Sequence, residues 1–183
     1  GLDIPLVRHA PAVGQNLQDH VCVSYYFKSK VPTLNDTLYP FSGKVKAALQ
    51  YLMGRQGPLA MSVNQAGAFV RSRPDLARPN MHVYFNPISY TANAKPQAKL
   101  MNPDPYSAFL MSFNTCRPTS RGSITIQSAD PFAKPIIRTN FLSTPEDLAD
   151  VQEGSQLLRR IAASAPLSGV VASELFPGPG ATS

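Results

Sequence analysis

Eighteen prolines in 183 residues constrain this chain more than any other feature. Each proline fixes φ and removes a backbone donor, so it is excluded from helix interiors and central strands. The chain must therefore be built from short elements joined by turns. A length of 183 residues suits one domain. A domain of that size buries about 70% of its unfolded surface. Apolar residues make up 43% and charged residues 15%, the composition of a folded globular chain rather than a disordered one. No apolar run approaches the roughly 20 residues needed to span a bilayer. The chain starts Gly1-Leu2-Asp3-Ile4-Pro5, without an initiator Met or a signal-peptide pattern. We therefore expect an excised domain or a proteolytic fragment.

Between the prolines, several segments alternate apolar and polar residues, as half-buried strands do. Val21 to Lys28 puts Val21, Val23, Tyr25 and Phe27 on one face and Cys22, Ser24, Tyr26 and Lys28 on the other. Gln65–Val70, Asn80–Asn86, Ala108–Asn114 and Gly122–Gln127 read as further strands. In Asn80–Asn86, Met81, Val83 and Phe85 face one way. His82 and Tyr84 face the other, lining a cavity or facing solvent. Ile124 and Ile126 are expected to point inward. Arg117-Pro118-Thr119-Ser120-Arg121-Gly122 reads as a turn that joins the last two strands into a hairpin. Lys95 to Pro105 has no period and reads as a loop.

Two stretches read as helices. Gly43 to Met53 carries Val45, Leu49 and Leu52 at helical spacing, with Gly54 as a stop. The clearer one starts at Thr144, whose hydroxyl suits the cap. Pro145 fits the first helical position, and Glu146 and Asp147 complement the positive dipole end. Leu148, Val151, Leu158 and Ile161 mark its expected buried face, and Pro166 forbids continuation. No regular βαβ rhythm occurs. The expected fold is α+β: a mainly antiparallel sheet of about six strands with helices packed on one face.

The net charge is +6, but Lys and Arg are scattered, with Arg159-Arg160 the densest pair. A nucleic-acid binder concentrates such charge, so a solvated basic surface is expected and no nucleic-acid partner. Cys22 and Cys116 lack metal-ligand spacing. They read as two buried free thiols of a reducing compartment, the cytoplasm, with a disulfide as the alternative. The chain has no GxGxxG, no GxxxxGK and no GxSxG. His9, His20 and His82 lack the spacing of metal ligands, so no metal is expected.

One further pattern carries more. Val13-Gly14-Gln15-Asn16-Leu17-Gln18-Asp19-His20, Gly57-Pro58-Leu59 with Gln65-Ala66-Gly67-Ala68-Phe69, Ser120-Arg121-Gly122-Ser123-Ile124 with Asp130-Pro131 and Asn140-Phe141-Leu142, and Leu175-Phe176-Pro177-Gly178-Pro179 follow one another along the chain. These phrases, in this order, resemble the glucose–methanol–choline (GMC) family of FAD-dependent oxidoreductases. The usual Pro-Gly before the first phrase is Pro11-Ala12 here. The resemblance implies that residues 1–183 are a substrate-binding domain. The FAD-binding domain of the same polypeptide is then its partner, and a small-molecule alcohol the substrate. The family moves a hydride from an alcohol carbon to flavin N5 while a late histidine takes the hydroxyl proton. Neither that histidine nor the flavin's glycine motif is expected within these residues. No catalytic residue is assigned to them, and the isolated chain is expected to bind no FAD and to be inactive. The alternative is a stand-alone binding module without flavin.

The same resemblance nominates site residues. Gln65, Tyr84 and Arg117 are the expected substrate-side positions. Asn16, Asp19 and His20 stand at the domain junction, with the Asp19-His20 pair read as structural. Arg121 is expected to tie down its turn. In choline-acting members the position matching Gln65 is acidic. A quaternary ammonium needs an anion or an aromatic cage, so a neutral amide there implies poor use of choline.

Overall fold

A computed structural model of the chain describes residues 2–90 and 102–181. Strand β1 (Gln15–Leu17) is followed by β2 (Cys22–Ser29), helices α1 (Leu34–Leu38) and α2 (Phe41–Gly54), and a 3-10 turn at Pro58–Ala60. Then come β3 (Ala66–Val70), β4 (Met81–Asn86), β5 (Ala108–Thr115), β6 (Gly122–Thr125) and β7 (Ile136–Arg138). Helices α3 (Pro145–Ala163) and α4 (Leu167–Val170) precede the last strand, β8 (Val171–Phe176).

The α+β reading holds, with the strands divided between two antiparallel sheets rather than one of about six. The main sheet has the order β3-β4-β5-β2-β8 and the smaller one β1-β6-β7. β5 is central, and all eight of its residues are buried. It pairs with β2 from Cys22↔Asn114 to Lys28↔Ala108, and with β4 from Met81↔Thr115 to Asn86↔Leu110. The loop expected at Lys95–Pro105 lies outside the described residues as far as 101. Residues 102–107 are irregular.

β5 and β6 do not form the expected hairpin. The turn between them is held from outside by α3. The buried Asp147 carboxylate accepts from the backbone N–H of Thr119 (2.7 Å) and of Ser120 (2.9 Å). Arg121 ties the same turn down by donating to the carbonyls of Pro118 and Ser120. The chain leaves in a new direction, and β6 pairs with β1 and β7 instead. The close approach of β1 requires Gly14, with φ +78°, because a Cβ there would sit 2.1 Å from the Ile124 carbonyl oxygen. Ile124 on this small sheet and Ile126 just beyond β6 are exposed, not inward.

α3 covers one face of the main sheet. Thr144 caps it, accepting from the Asp147 N–H. Its buried positions are Asp147, Gly154, Leu158 and Ala162. Leu148 is exposed, against expectation, because the turn takes Asp147 inward and the next residue then rotates about 100° away. Leu158 and Ala162 pack with Tyr25, Phe27, Met81, Val83, Phe109, Met111 and Phe113 in the core. Arg159 closes the far end. It donates to both Glu174 carboxylate oxygens, at 3.0 and 2.9 Å, tying α3 to β8. Among the described residues no helix is long and apolar enough to cross a membrane.

Two stability predictions follow from these contacts. A Cβ on Gly154 would stand 2.2 Å from a ring carbon of the fully buried Phe113. Overpacking costs about 1–3 kcal/mol, and alanine's better helix propensity returns about 1 kcal/mol. Gly154→Ala should therefore lose about 1 kcal/mol by urea unfolding; an unchanged or raised midpoint would refute the contact.

Asp147 makes stability pH-dependent. Burial alone would raise its pKa. Hydrogen bonds from Ser120 and Thr119 together outweigh burial and hold the carboxyl at about 2, below its ordinary 3.8. A depressed folded-state pKa stabilises in full above pH 3.8, and that stability is lost as pH falls toward about 2. The contribution is on the order of 2 kcal/mol. Asp147→Asn should therefore be less stable at neutral pH, and the gap to wild type should close by about pH 2. A gap that stays constant over that range would exclude the linkage.

Candidate functional site

The face of the main sheet away from α3 is polar. Alternation along β2, β5 and β4 sends Cys22, Ser24, Tyr26, Leu110, Ser112, Asn114, His82, Tyr84 and Asn86 to this side. The ladder sets them in three cross-strand rows: Cys22–Asn114–His82, Ser24–Ser112–Tyr84 and Tyr26–Leu110–Asn86. With His20, Val63, Asn64 and Tyr90 most of them line an open hollow of about 640 Å³. Among the described residues no Asp, Glu, Lys or Arg lines it.

The hollow is organised by its own hydrogen bonds and ring contacts. The Ser24 and Ser112 hydroxyls are 2.9 Å apart. Tyr84 Oη lies 2.6 Å from His82 Nδ1. The His82 ring is held between Phe69, its cross-strand partner, at 4.2 Å and Tyr84 at 4.0 Å. At the other end Tyr26 meets Tyr90 and Phe176 edge-on, at 6.1 and 6.2 Å. Burial, with Tyr90, Asp104 and Cys22 adding to it, pushes the Tyr26 phenol up to about 12. Burial also raises Tyr84 and Tyr90. All three phenols are thus protonated at neutral pH. The wall presents hydroxyl, amide and phenol groups, a set suited to hydrogen-bonding an uncharged polar ligand.

A second hollow of about 580 Å³ adjoins the first through His20. Gln18, Asp19, Cys116, Arg117, Pro118, Thr119 and Arg121 line the rest of it. Asp19 accepts from the His20 N–H at 2.8 Å. Arg117 donates to the Pro79 carbonyl at 2.7 Å. The six nominated residues are therefore dispersed. Tyr84 lies in the first hollow, Asp19 and Arg117 in the second, and His20 in both. Asn16 lies on β1 with φ 58°. Gln65 lines neither hollow. Its N–H donates to the Phe85 carbonyl (3.0 Å), and its side-chain amide stands 3.9 Å from the Met61 sulfur. Among the described residues no group of three His, Cys, Asp or Glu could hold a metal ion.

Ser24, Ser112, Asn114, Asn86 and Asn64 also line the hollow and were not nominated from sequence. The alternation of Val21–Lys28 already placed Ser24 on the polar side. Ser112 and Asn114 carried no comparable signal, because β5 is buried on both faces.

Comparison with known proteins agrees with this architecture. The family model described as "GMC oxidoreductase" matches residues 118–183. Mitochondrial choline dehydrogenase of Mus musculus is 35% identical over 178 residues, covering 97% of this chain. Residues 118–183 thus match the GMC oxidoreductase family, which the chain resembles over nearly its whole length. Oxygen-dependent choline dehydrogenase of Serratia proteamaculans is 31% identical over 97% of the chain. The chain spans 29% and 31% of the length of these two relatives. Formate oxidase of Aspergillus oryzae, in an R554K variant studied for FAD modification, superposes with a TM-score of 0.80 at 21% identity. That match covers 97% of this chain and 34% of the oxidase. Pyridoxine 4-oxidase from Mesorbium loti gives a TM-score of 0.69 at 22% identity, over 99% of this chain and 31% of that enzyme.

The chain carries its cysteines as two free thiols. The expectation that both are buried fails for Cys22, which is exposed; Cys116 is half-buried. Burial pushes the Cys116 thiol up, against a smaller lowering by Arg117. Since the thiolate is the reactive form, Cys22 should be alkylated first by iodoacetamide at mildly alkaline pH. Peptide mass spectrometry reads the order directly, and faster loss of the Cys116 thiol would contradict this geometry.

Proposed function

We propose that this chain is the substrate-side domain of an FAD-dependent alcohol oxidoreductase. The carrying observation is the polar hollow on the open face of the main sheet, which no Asp, Glu, Lys or Arg lines among the described residues. The relatives span about three times this length, so the FAD-binding part belongs to the same, longer polypeptide. These 183 residues contain no glycine-rich phosphate loop. By themselves they should hold no FAD tightly and oxidise no alcohol. Asn16, Asp19 and His20 are proposed to stand at the junction between the two parts. The two free thiols support a reducing compartment such as the cytoplasm.

FAD, when bound in the complete protein, supplies the hydride acceptor. The residues here bind and orient the alcohol. Tyr84, with its hydroxyl bridged to His82, is proposed to hold a substrate oxygen. Ser24, Ser112 and Asn114 offer further donors and acceptors along the same wall. Gln65 and Arg117 are proposed to act at its margins, on the approach of substrate. The favoured substrate is a neutral alcohol, because among the described residues no carboxylate lines the hollow. A second reading has a specific basis. The faces of Tyr84 and Tyr90 could receive a quaternary ammonium by cation–π contact, and the two curated relatives named above are choline dehydrogenases.

Steady-state kinetics on the full-length protein decide between them. A neutral aliphatic or aromatic alcohol should exceed choline in kcat/KM by about ten-fold or more, and Gln65→Glu should narrow the ratio. Tyr84→Phe should lower kcat/KM for the preferred alcohol by about ten-fold. Preference for choline would select the second reading. A ratio unmoved by Gln65→Glu would remove Gln65 from the specificity set. Absence of flavin absorbance, or of any alcohol oxidation, would overturn the redox assignment itself.

A further inference from the structure

Helix α2 is packed inside out. It meets the rest of the domain through small residues. Ala47 is 1% exposed, and a Cβ on Gly43 would lie 1.8 Å from the Thr37 carbonyl oxygen. Its large apolar residues face away from the protein. Phe41 is 81% exposed and Leu52 72%, with Val45 and Leu49 exposed on the same stripe. At 3.6 residues per turn these four fall within roughly a quarter of the helix circumference. Leu59, in the turn that follows, extends the apolar surface across a groove of about 330 Å³ that Val45 and Ala48 also line.

The rim of this face is cationic. Lys44 and Lys46 sit roughly 100° to either side of the centre of the stripe. Arg55 follows at the C-cap, its guanidinium over the Tyr51 ring. No Asp or Glu occurs anywhere from Thr37 to Pro74. Among the described residues the ion pairs join Arg73 to Asp75 and Glu153, and Arg159 to Glu174, leaving the α2 cations out.

We infer that the outer face of α2 seats on an anionic lipid surface, with Phe41, Val45, Leu49 and Leu52 in the headgroup–acyl boundary and Lys44 and Lys46 reaching the phosphates on either flank. An apolar stripe between two rows of Lys or Arg is the pattern of helices that lie in the plane of a membrane interface. The lysine stems cover apolar surface while their ammonium groups stay at headgroup level. The anionic cytoplasmic leaflet attracts such groups. A second copy fits less well, since a symmetric contact through this face would set cationic rim against cationic rim. The helix spans no bilayer; it lies on one. This placement is independent of the hollow on the sheet and of the chemistry proposed there.

Sedimentation of the full-length protein with vesicles tests it. Binding is expected to phosphatidylcholine–phosphatidylglycerol vesicles, weaker binding to phosphatidylcholine alone, and loss of the difference at high salt. Leu49→Glu with Leu52→Glu should reduce the bound fraction at least about ten-fold. Lys44→Gln with Lys46→Gln leaves the apolar stripe intact, serves should the first variant misfold, and should abolish the preference for anionic lipid. Failure of the wild type to sediment with anionic vesicles would overturn the inference. So would unchanged binding by either folded variant. Resistance of Phe41, Leu49 and Leu52 to hydroxyl-radical labelling without lipid would do the same, because it would mean that the remaining polypeptide or a second copy covers the face.

Discussion

β5 is hydrogen-bonded on both sides, to β2 and to β4, and every one of its eight residues is buried. The rest of the domain is arranged around that strand. Its residues Phe109, Met111 and Phe113 build the core under α3, and Gly154 lets the helix come down onto the Phe113 ring. Its alternate residues Leu110, Ser112 and Asn114 form the middle of the polar hollow. Because the side-chain period of a strand is 2, these two sets cannot be moved independently. A one-residue slip of β5 would put phenylalanines in the hollow and serine and asparagine under the helix. The packing of α3 therefore keeps the site in register as well as stabilising the fold.

Asp147 links the same helix to the chain direction beyond β5. Its carboxylate organises the turn at Thr119 and Ser120. That turn sets the wall of the second hollow and delivers β6 to the small sheet rather than to a hairpin. One buried carboxylate thus determines where Arg117 and Arg121 stand relative to His20. The two hollows meet at His20, on the segment between β1 and β2 where the sequence resemblance marks a domain junction. Clefts where two parts of a polypeptide meet are a common location for small-molecule sites.

The hollow and the outer face of α2 show opposite chemistry. Among the described residues the hollow is uncharged and hydrogen-bonding, and a doubly paired strand floors it. The α2 face is apolar, cation-rimmed and carried on a helix held by glycine and alanine contacts. The first suits a small polar molecule whose orientation matters. The second suits an extended surface with no directional requirement beyond charge.

Much of this was legible before any coordinates. The strand readings placed β2, β3, β4 and β5 of the main sheet, with the alternation clearest in β2 and β4 because a strand with one wet face must alternate; β8 was not read as a strand. Thr144-Pro145-Glu146-Asp147 announced the start of α3, because capping and dipole effects are local. The phrases around Asn16, Gln65, Arg121 and Asn140 carried the family resemblance, and Tyr84 was correctly assigned to the polar side of its strand. What the sequence by itself determined was the identity of the longer elements, β2 to β6 with α2 and α3, and which residues share a face within the alternating strands. Only the tertiary structure decided which strands pair. It separated β6 from β5, turned Leu148 outward in favour of Asp147, joined Ser24, Ser112 and Tyr84 into one row, left Gln65 outside both hollows, and exposed the stripe of α2 that helical spacing alone would have buried. The physical reason is that faces and caps are set by interactions within a few residues. Register, sheet membership and the direction an amphipathic face turns depend on contacts between segments tens of residues apart.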